Sequence, residues 1–292
     1  MPFFGFFRRR KPMRDRGHTA SQGERQYVAD APYLLPKDLG ETNRLDFQHY
    51  MLRHALRGNY GAPLEDPRDI LDVGSGTGRW AMDLAQQFPQ ASVVGMDLAP
   101  PAVEARATPR PGPENYRFVQ GNALERIPFP DESFSFVHQR FLTLAIPAAR
   151  WPDVVAELLR VTRSGGWVEL VETEPPTGAP AIDQLAAWGV ELTTRRGIDM
   201  SLMARIGELL RNSGASQVTA RTVKMAVGKP AGHIGAMAAV DYMTALSAVR
   251  APLAKMGIVD EERFDSMMER GRQEFDQGVY IQPIYVAFGQ KP

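Results

Sequence analysis

Short apolar runs alternate with helical periods through the middle of the chain. Ile70–Val73 reads as a buried-type strand, and Trp80, Leu84 and Phe88 then recur every four residues as a helix face. Val93–Met96, Tyr116–Gln120 and Phe134–Val137 predict three more strands. Val154, Leu158 and Val161 mark a helix expected to end at Gly165-Gly166, and Trp167–Glu172 a fifth strand. Strands that alternate with helices need crossovers, hence a parallel α/β sheet covered on both faces. Upstream, Asp38 and Glu41 are spaced as a capping box. They open a helix with Leu45, Leu52 and Leu56 on one face and Gly58 as its stop. Downstream, 180–212 and 231–276 read as helical and 217–227 alternates as a strand. Ile284–Phe288 is a last strand behind Pro283. The expected organisation is a disordered basic tail over 1–25, a helical cap over 26–60, and the sheet domain over 61–292. That domain has helical covering segments at about 174–212 and 229–278.

Composition narrows the chemistry. The 292 residues are 43% hydrophobic and 23% charged, an ordinary globular balance that argues against a wholly disordered chain. There is no cysteine, which excludes disulfides, thiolate metal sites and thiol nucleophiles. Lys plus Arg and Asp plus Glu are 34 each, and this zero balance disfavours nucleic acid as a partner. No apolar run approaches the roughly 18 residues of a membrane helix, so a cytoplasmic location is the expectation. One asymmetry stands out. Arg8, Arg9, Arg10, Lys11, Arg14 and Arg16 face Asp15 alone, behind Phe3, Phe4, Phe6 and Phe7. That tail suits weak docking to an anionic membrane or a partner.

The most informative stretch is Leu71-Asp72-Val73-Gly74-Ser75-Gly76-Thr77-Gly78, which follows a strand and opens a helix. Glycines there permit a tight turn and let a ligand approach backbone without a Cβ in the way. The spacing is G-x-G-x-G, one residue shorter than the nicotinamide-binding pattern, and Arg79 stands where that pattern needs a small residue. Asp72, just before the loop, suits a cationic ligand better than a diphosphate. Asp97 ends the second strand, where a carboxylate can accept hydrogen bonds from both hydroxyls of a ribose. Asn122 follows the third strand with Ala123 beside it, an amide and a small surface suited to an adenine edge.

In this order, Asp72–Gly78, Asp97, Gly121-Asn122-Ala123 and Phe134–Val137 resemble the motifs of class I S-adenosylmethionine-dependent methyltransferases. The Leu158–Gly166 stretch resembles the family's helix and turn before strand five. The resemblance implies a Rossmann-like, seven-stranded, mostly parallel sheet of order 3-2-1-4-5-7-6. It implies S-adenosyl-L-methionine as cofactor, with S-adenosyl-L-homocysteine as product. Gly74, Gly76 and Gly78 would line its methionine part, Asp97 its ribose, and Leu98, Asn122 and Ala123 its adenine. Gln139 would lie beside the methionine and sulfonium. The family's Phe-Asp on strand four is Phe134-Ser135 here, read as a surface change. A finer resemblance covers most of the chain. Tyr33–Asp38, Glu41, Arg44-Leu45, Gln48-His49 and the final Phe288–Pro292 are similar to LaeA-like methyltransferases. That likeness implies that Tyr33 and the Arg44 helix close over the cofactor, and Arg44 is placed to pair with its carboxylate.

For chemistry beyond binding, His138 and Glu172 end strands at the ligand edge and are the candidate base and orienting carboxylate. For His138, strand alternation equally allows a buried, hydrogen-bonded residue on the other face. His49 and His54 read as ordinary helix-face residues. No metal-ligand spacing stands out, so metal independence is expected. Eight of the 13 methionines follow residue 198, which suits core packing or an apolar cover over a small-molecule acceptor. The expected activity is methyl transfer to a small, largely apolar metabolite of secondary metabolism. The alternatives are a protein methyltransferase or a cofactor-binding regulatory protein. The oligomeric state is open.

Overall fold

The computed structural model describes residues 39–100 and 112–292, with side chains of the first helix described from Arg44 onward. The basic tail, Tyr33 and the proposed capping residue Asp38 lie outside the described residues. The chain runs α1 (Leu39–Leu56), β1 (Asp69–Val73), α2 (Arg79–Gln87), β2 (Ser92–Asp97), β3 (Tyr116–Gln120) and β4 (Phe134–Arg140). It continues through α3 (Trp151–Val161), β5 (Thr162–Thr173), α4 (Pro180–Thr194), α5 (Ile206–Asn212) and β6 (Ser216–Val227). It closes with α6 (Gly232–Ser247), α7 (Arg250–Lys255), α8 (Glu261–Gln277) and β7 (Tyr280–Gln290).

The strands form one seven-stranded sheet of order β3-β2-β1-β4-β5-β7-β6. β1 to β5 are parallel, and β7 runs antiparallel between β5 and β6. This is the class I arrangement that the resemblance implied. Both faces of the sheet are covered, as the apolar runs required. On one face α2 packs Trp80, Ala81 and Leu84 against Ile70, Val93 and Phe136. Farther along that face, α1, α4 and α6 to α8 close over Val171, Ile284 and Val286. On the opposite face α3 and α5 bury Leu71, Val73, Val137 and Leu170. Met225, Met243 and Met268 are buried within the first face's core, so these three fill interior space.

Three boundaries differ from expectation, each for a local reason. Helix α3 ends at Val161, not at the glycine pair: the Thr162 backbone turns extended into the sheet (φ −76°, ψ 137°), while its amide and hydroxyl both donate to the Leu158 carbonyl, the hydroxyl at 2.7 Å. Strand β5 starts at once, and Gly165, at φ 75°, turns within it before the Trp167 run. The segment 180–212 is two helices, parted by a turn at Gly197 with φ 74°. The segment 231–276 is three, with breaks after Ser247 and at Gly257, φ 65°. Ser135 is also more than a surface change. Its hydroxyl accepts from the Arg68 and Asp69 amides at 3.1 and 3.2 Å and donates to the Asp69 carbonyl at 2.9 Å, clamping β4 to the start of β1.

Candidate functional site

The carboxyl ends of the parallel strands converge on the turn after β1. Gly74, Gly76 and Gly78 take φ of 73°, 54° and 72°, conformations that L side chains rarely adopt. The Gly74 and Ser75 amides donate to the Met96 carbonyl at 2.8 and 3.0 Å, bending the loop over β2. Two of the glycines also lack room. A Cβ on Gly74 would meet the Leu142 side chain at 2.5 Å, and one on Gly78 would collide with the Tyr116 hydroxyl.

Asp97 is placed where β2 ends, and its Oδ2 accepts the Gly76 amide at 2.9 Å. The carboxylate therefore sits beside the loop, across the crevice where such sheets bind nucleotides. Beneath the loop, the Ser75 and Tyr116 hydroxyls are buried without hydrogen-bond partners. Both fill the space above Gly95, where a Cβ would come within 2.9 and 3.0 Å of them. Burial, with Asp72 and Asp97 nearby, pushes the Tyr116 phenol up to about 12. Gly121 must also stay bare, since a Cβ there would touch the Met96 sulfur at 2.7 Å. Asn122 closes a local turn: its Oδ1 accepts the Leu124 amide at 3.0 Å and its Nδ2 donates to Glu125 at 3.1 Å. Leu98 and Ala123 are half-buried on either side of this edge.

The cap helix crosses above. Leu45 of α1 approaches Gly76, where a Cβ would lie 3.5 Å from its methyl carbon. Arg44, expected to hold a cofactor carboxylate, is buried and pairs with Asp241 of α6 at 2.7 Å, while Gln48 donates to the other Asp241 oxygen at 3.0 Å. These bonds tie α1 to α6 and fix its course over the loop.

His138 and Glu172 do not stand free at the edge. His138 is 1% exposed, hydrogen-bonded through Nδ1 to Asp72 at 2.9 Å and stacked on Trp80 at 3.8 Å between ring centroids. Burial lowers its pKa, so it is a neutral ring donating Nδ1–H to the Asp72 carboxylate, with Nε2 buried and unpartnered. Asp72 is accordingly engaged by β4 rather than displayed at the loop. Glu172 lies on the opposite face and is fully buried. Its carboxylate accepts four hydrogen bonds, from Gln139 Nε2 at 2.6 Å, the Leu142 amide at 2.9 Å, and the Thr143 amide and hydroxyl at 3.3 and 2.5 Å. Burial nevertheless raises its pKa to about 7. Glu172 thus acts as the peg of the turn after β4. That turn carries Leu142 against Gly74, following Phe141 at the left-handed φ of 57°. Gln139 is fully buried beneath the turn, with its Oε1 unpartnered.

Sequence reasoning missed a row of polar residues across the sheet. Asp72, His138 and Glu169 are register neighbours on β1, β4 and β5. Glu169 accepts the Gly61 and Ala62 amides at 2.6 and 2.8 Å, anchoring the loop between α1 and β1, and burial raises it to about 7. His49 is buried as well, with Nε2 on Asp83 at 3.0 Å. Parallel register, not local pattern, brings these groups together. The one available signal was a charged residue inside each otherwise apolar strand.

Residues 70–166 match the family model described as a methyltransferase domain. These residues resemble a methyltransferase domain, set in a sheet with the class I strand order. The chain is 39% identical over 144 residues to the methyltransferase str3 of Strobilurus tenacellus, covering 48% of each chain. It is 28% identical over 264 residues to str2 of the same organism, covering 84% of this chain and 91% of that one. It is 32% identical over 145 residues to the secondary metabolism regulator laeA of Aspergillus fumigatus, covering 49% of this chain and 37% of that one. Apart from str2, these alignments span about half or less of the relatives' length. The crystal structure of YcgJ from Bacillus subtilis shares the fold, with TM-score 0.50 and 19% identity over 84% of this chain and 98% of that one. The glycine loop and Asp97 at the end of β2 fit an adenosine-bearing donor.

Proposed function

We propose that the protein transfers the methyl group of S-adenosyl-L-methionine to a small, largely apolar metabolite of secondary metabolism. The observation that carries this is the glycine loop held open by three left-handed glycines with Asp97 bonded to its middle amide. Asp97 takes the ribose, Leu98 and Ala123 flank the adenine, and Asn122 turns its amide to the ring edge when its local bonds are exchanged. Bound there, the donor supplies an already electrophilic sulfonium methyl. The protein's part is to hold an acceptor in line with it and to keep water out. The Glu172 peg serves this by fixing Leu142 and Thr143 at the exit of β4. Similarity to str2, str3 and the other fungal methyltransferases supports a metabolite acceptor. Among the described residues, no helix is long and apolar enough to cross a membrane, which is compatible with a cytoplasmic setting.

A second reading, a protein acceptor or a regulatory role, is favoured by the 32% identity to laeA. Methyl-labelled donor incubated with the protein and cell extract separates the two. Label in the small-molecule fraction supports the proposal, and label in the macromolecular fraction alone overturns it.

A further inference from the structure

His49 stands where three elements of the ligand edge meet. It lies on α1 with 1% of its surface exposed. Its Nε2 bonds Asp83 of α2 at 3.0 Å, and its Nδ1 faces Nη2 of Arg140, the last residue of β4, at 3.4 Å. Each of these elements shapes the glycine loop. Helix α2 begins at Arg79, directly after Gly78. Strand β4 leads into Leu142, whose side chain leaves no room for a Cβ on Gly74. Helix α1 carries Leu45, one turn before His49, above Gly76. One imidazole therefore ties the cap helix to both flanks of the loop.

Only the neutral ring with its proton on Nε2 satisfies both partners. A carboxylate accepts and a guanidinium only donates, so Nε2–H goes to Asp83 and the Nδ1 lone pair takes the Arg140 bond. Asp83 is also held by Arg53 of α1 and Arg79 of α2. Arg140 faces the opposite ring nitrogen, with its own counter-charges Asp72 and Glu169 on β1 and β5. His138 of β4 acts on the ring from the sheet, and the Tyr50 ring stands edge-on to it at 5.5 Å. Burial holds the His49 pKa below its ordinary value, Arg140 and Arg79 add to that, and Asp83 opposes it. A proton on Nδ1 would turn an acceptor into a second donor. The Arg140 bond would be lost, and two cations would face each other where water is excluded. The Asp241 bonds to Arg44 and Gln48 do not involve His49, so the α6 side of the helix would stay tied while the loop side is freed.

We infer that His49 is a positioning residue: its neutral ring clamps the cap helix onto α2 and β4, and its protonation lets that helix lift from the glycine loop. The inference rests on the methyl-donor reading above, since the ligand whose grip changes is the one the loop holds. Closing the cap buries a neutral ring. The clamp is therefore fully present above about pH 6.5, where an exposed imidazole is already neutral, and is lost as pH falls below it. By reciprocity, donor binding expels the proton from any imidazolium at this position.

The test is calorimetry on the full chain with S-adenosylhomocysteine at about pH 8 and about pH 5.5, a range over which that nucleoside keeps its own charges. Wild type binds about 3- to 10-fold more weakly at the lower pH, the size that titration of one exposed imidazole supplies. His49→Gln can still donate to Asp83 and accept from Arg140, but it takes up no proton. Its affinity is close to that of wild type at the higher pH and falls little at the lower. His49→Leu makes neither bond and binds more weakly than His49→Gln at the higher pH; equal binding by these two variants overturns the inference. So does a wild type indifferent to pH, or a His49→Gln variant whose affinity falls as steeply as wild type's. If His49→Gln does not fold, or does not bind at the higher pH, proton release decides. Wild type is then titrated at about pH 6 in two buffers of different ionisation enthalpy. Protons released on binding support the clamp, and no release, or uptake, overturns it. Wild type that fails to bind S-adenosylhomocysteine even at the higher pH overturns the donor reading instead, before any variant is made.

Discussion

Gly78 shows how little freedom the site leaves a single residue. Its φ of 72° costs an L residue about 1–2 kcal/mol, and a methyl group there would strike the Tyr116 hydroxyl. Gly78→Ala is expected to destabilise the domain by about 2–4 kcal/mol in urea unfolding, the clash adding to the strain. Tyr116→Phe alone removes only an unpartnered buried hydroxyl and is expected to be near neutral. Combined, the two changes recover the clash and not the strain, so Gly78→Ala/Tyr116→Phe falls between wild type and Gly78→Ala. Additive losses would contradict this geometry. Glu172 gives a prediction with a pH sign. Its folded pKa, about 7, lies above the unfolded carboxylate value, so the folded state holds the proton longer. Its contribution to stability is complete below about pH 4.5 and is lost as pH rises through about 7, at about 1.4 kcal/mol per unit of pKa difference. The buried, neutral His49 and His138 act oppositely, losing stability as pH falls. Comparing variants isolates the carboxylate: Glu172→Gln should flatten the decline between pH 5 and 8. An unchanged slope would contradict a buried, protonatable Glu172.

At the scale of elements, α1 is a strap rather than part of the sheet's own cover. Two side-chain bonds to Asp241 hold it to α6, and Glu169 pins the loop that follows it. A double-mutant cycle on Arg44→Ala and Asp241→Ala should give a coupling of about 1–3 kcal/mol, because neither partner is well solvated. Each single change should also weaken donor affinity by freeing Leu45 above Gly76. Zero coupling would mean that the Arg44–Asp241 pair does not hold the strap. The strands were legible because short, mostly apolar runs separate the helical periods, and β1 to β4 fall within three residues of expectation at every end. The helical segments after β5 were legible as apolar periods but not as separate helices. Gly197 and Gly257 look like tolerable interior glycines until their positive φ shows the turn. The Val161-Thr162 boundary was missed because the chain turns extended at a β-branched residue, a stop that the following glycines obscured.

For the whole molecule, the glycine loop and the acidic end of β2 were legible and the buried polar row was not, for one reason. Gly74, Gly76, Gly78 and Asp97 act through backbone conformation and strand ends, which local sequence encodes. Asp72–His138, Glu169 and Arg140 act through neighbours on other strands, so only register reveals that His138 and Glu172 are internal. In the proposed function, an adenosine-bearing methyl donor is the ligand of the β1 turn. Ligand binding to the native state alone raises stability by about 2.7 kcal/mol at a hundred times Kd, so S-adenosylhomocysteine should raise the melting temperature. The most direct test is calorimetric titration of S-adenosylmethionine into wild type and Asp97→Ala. Saturable binding by wild type, weakened about 10- to 100-fold in Asp97→Ala, is the predicted result, the size expected for lost hydrogen bonds to a charged group. Absence of binding to wild type, or equal affinity in the two proteins, would contradict it.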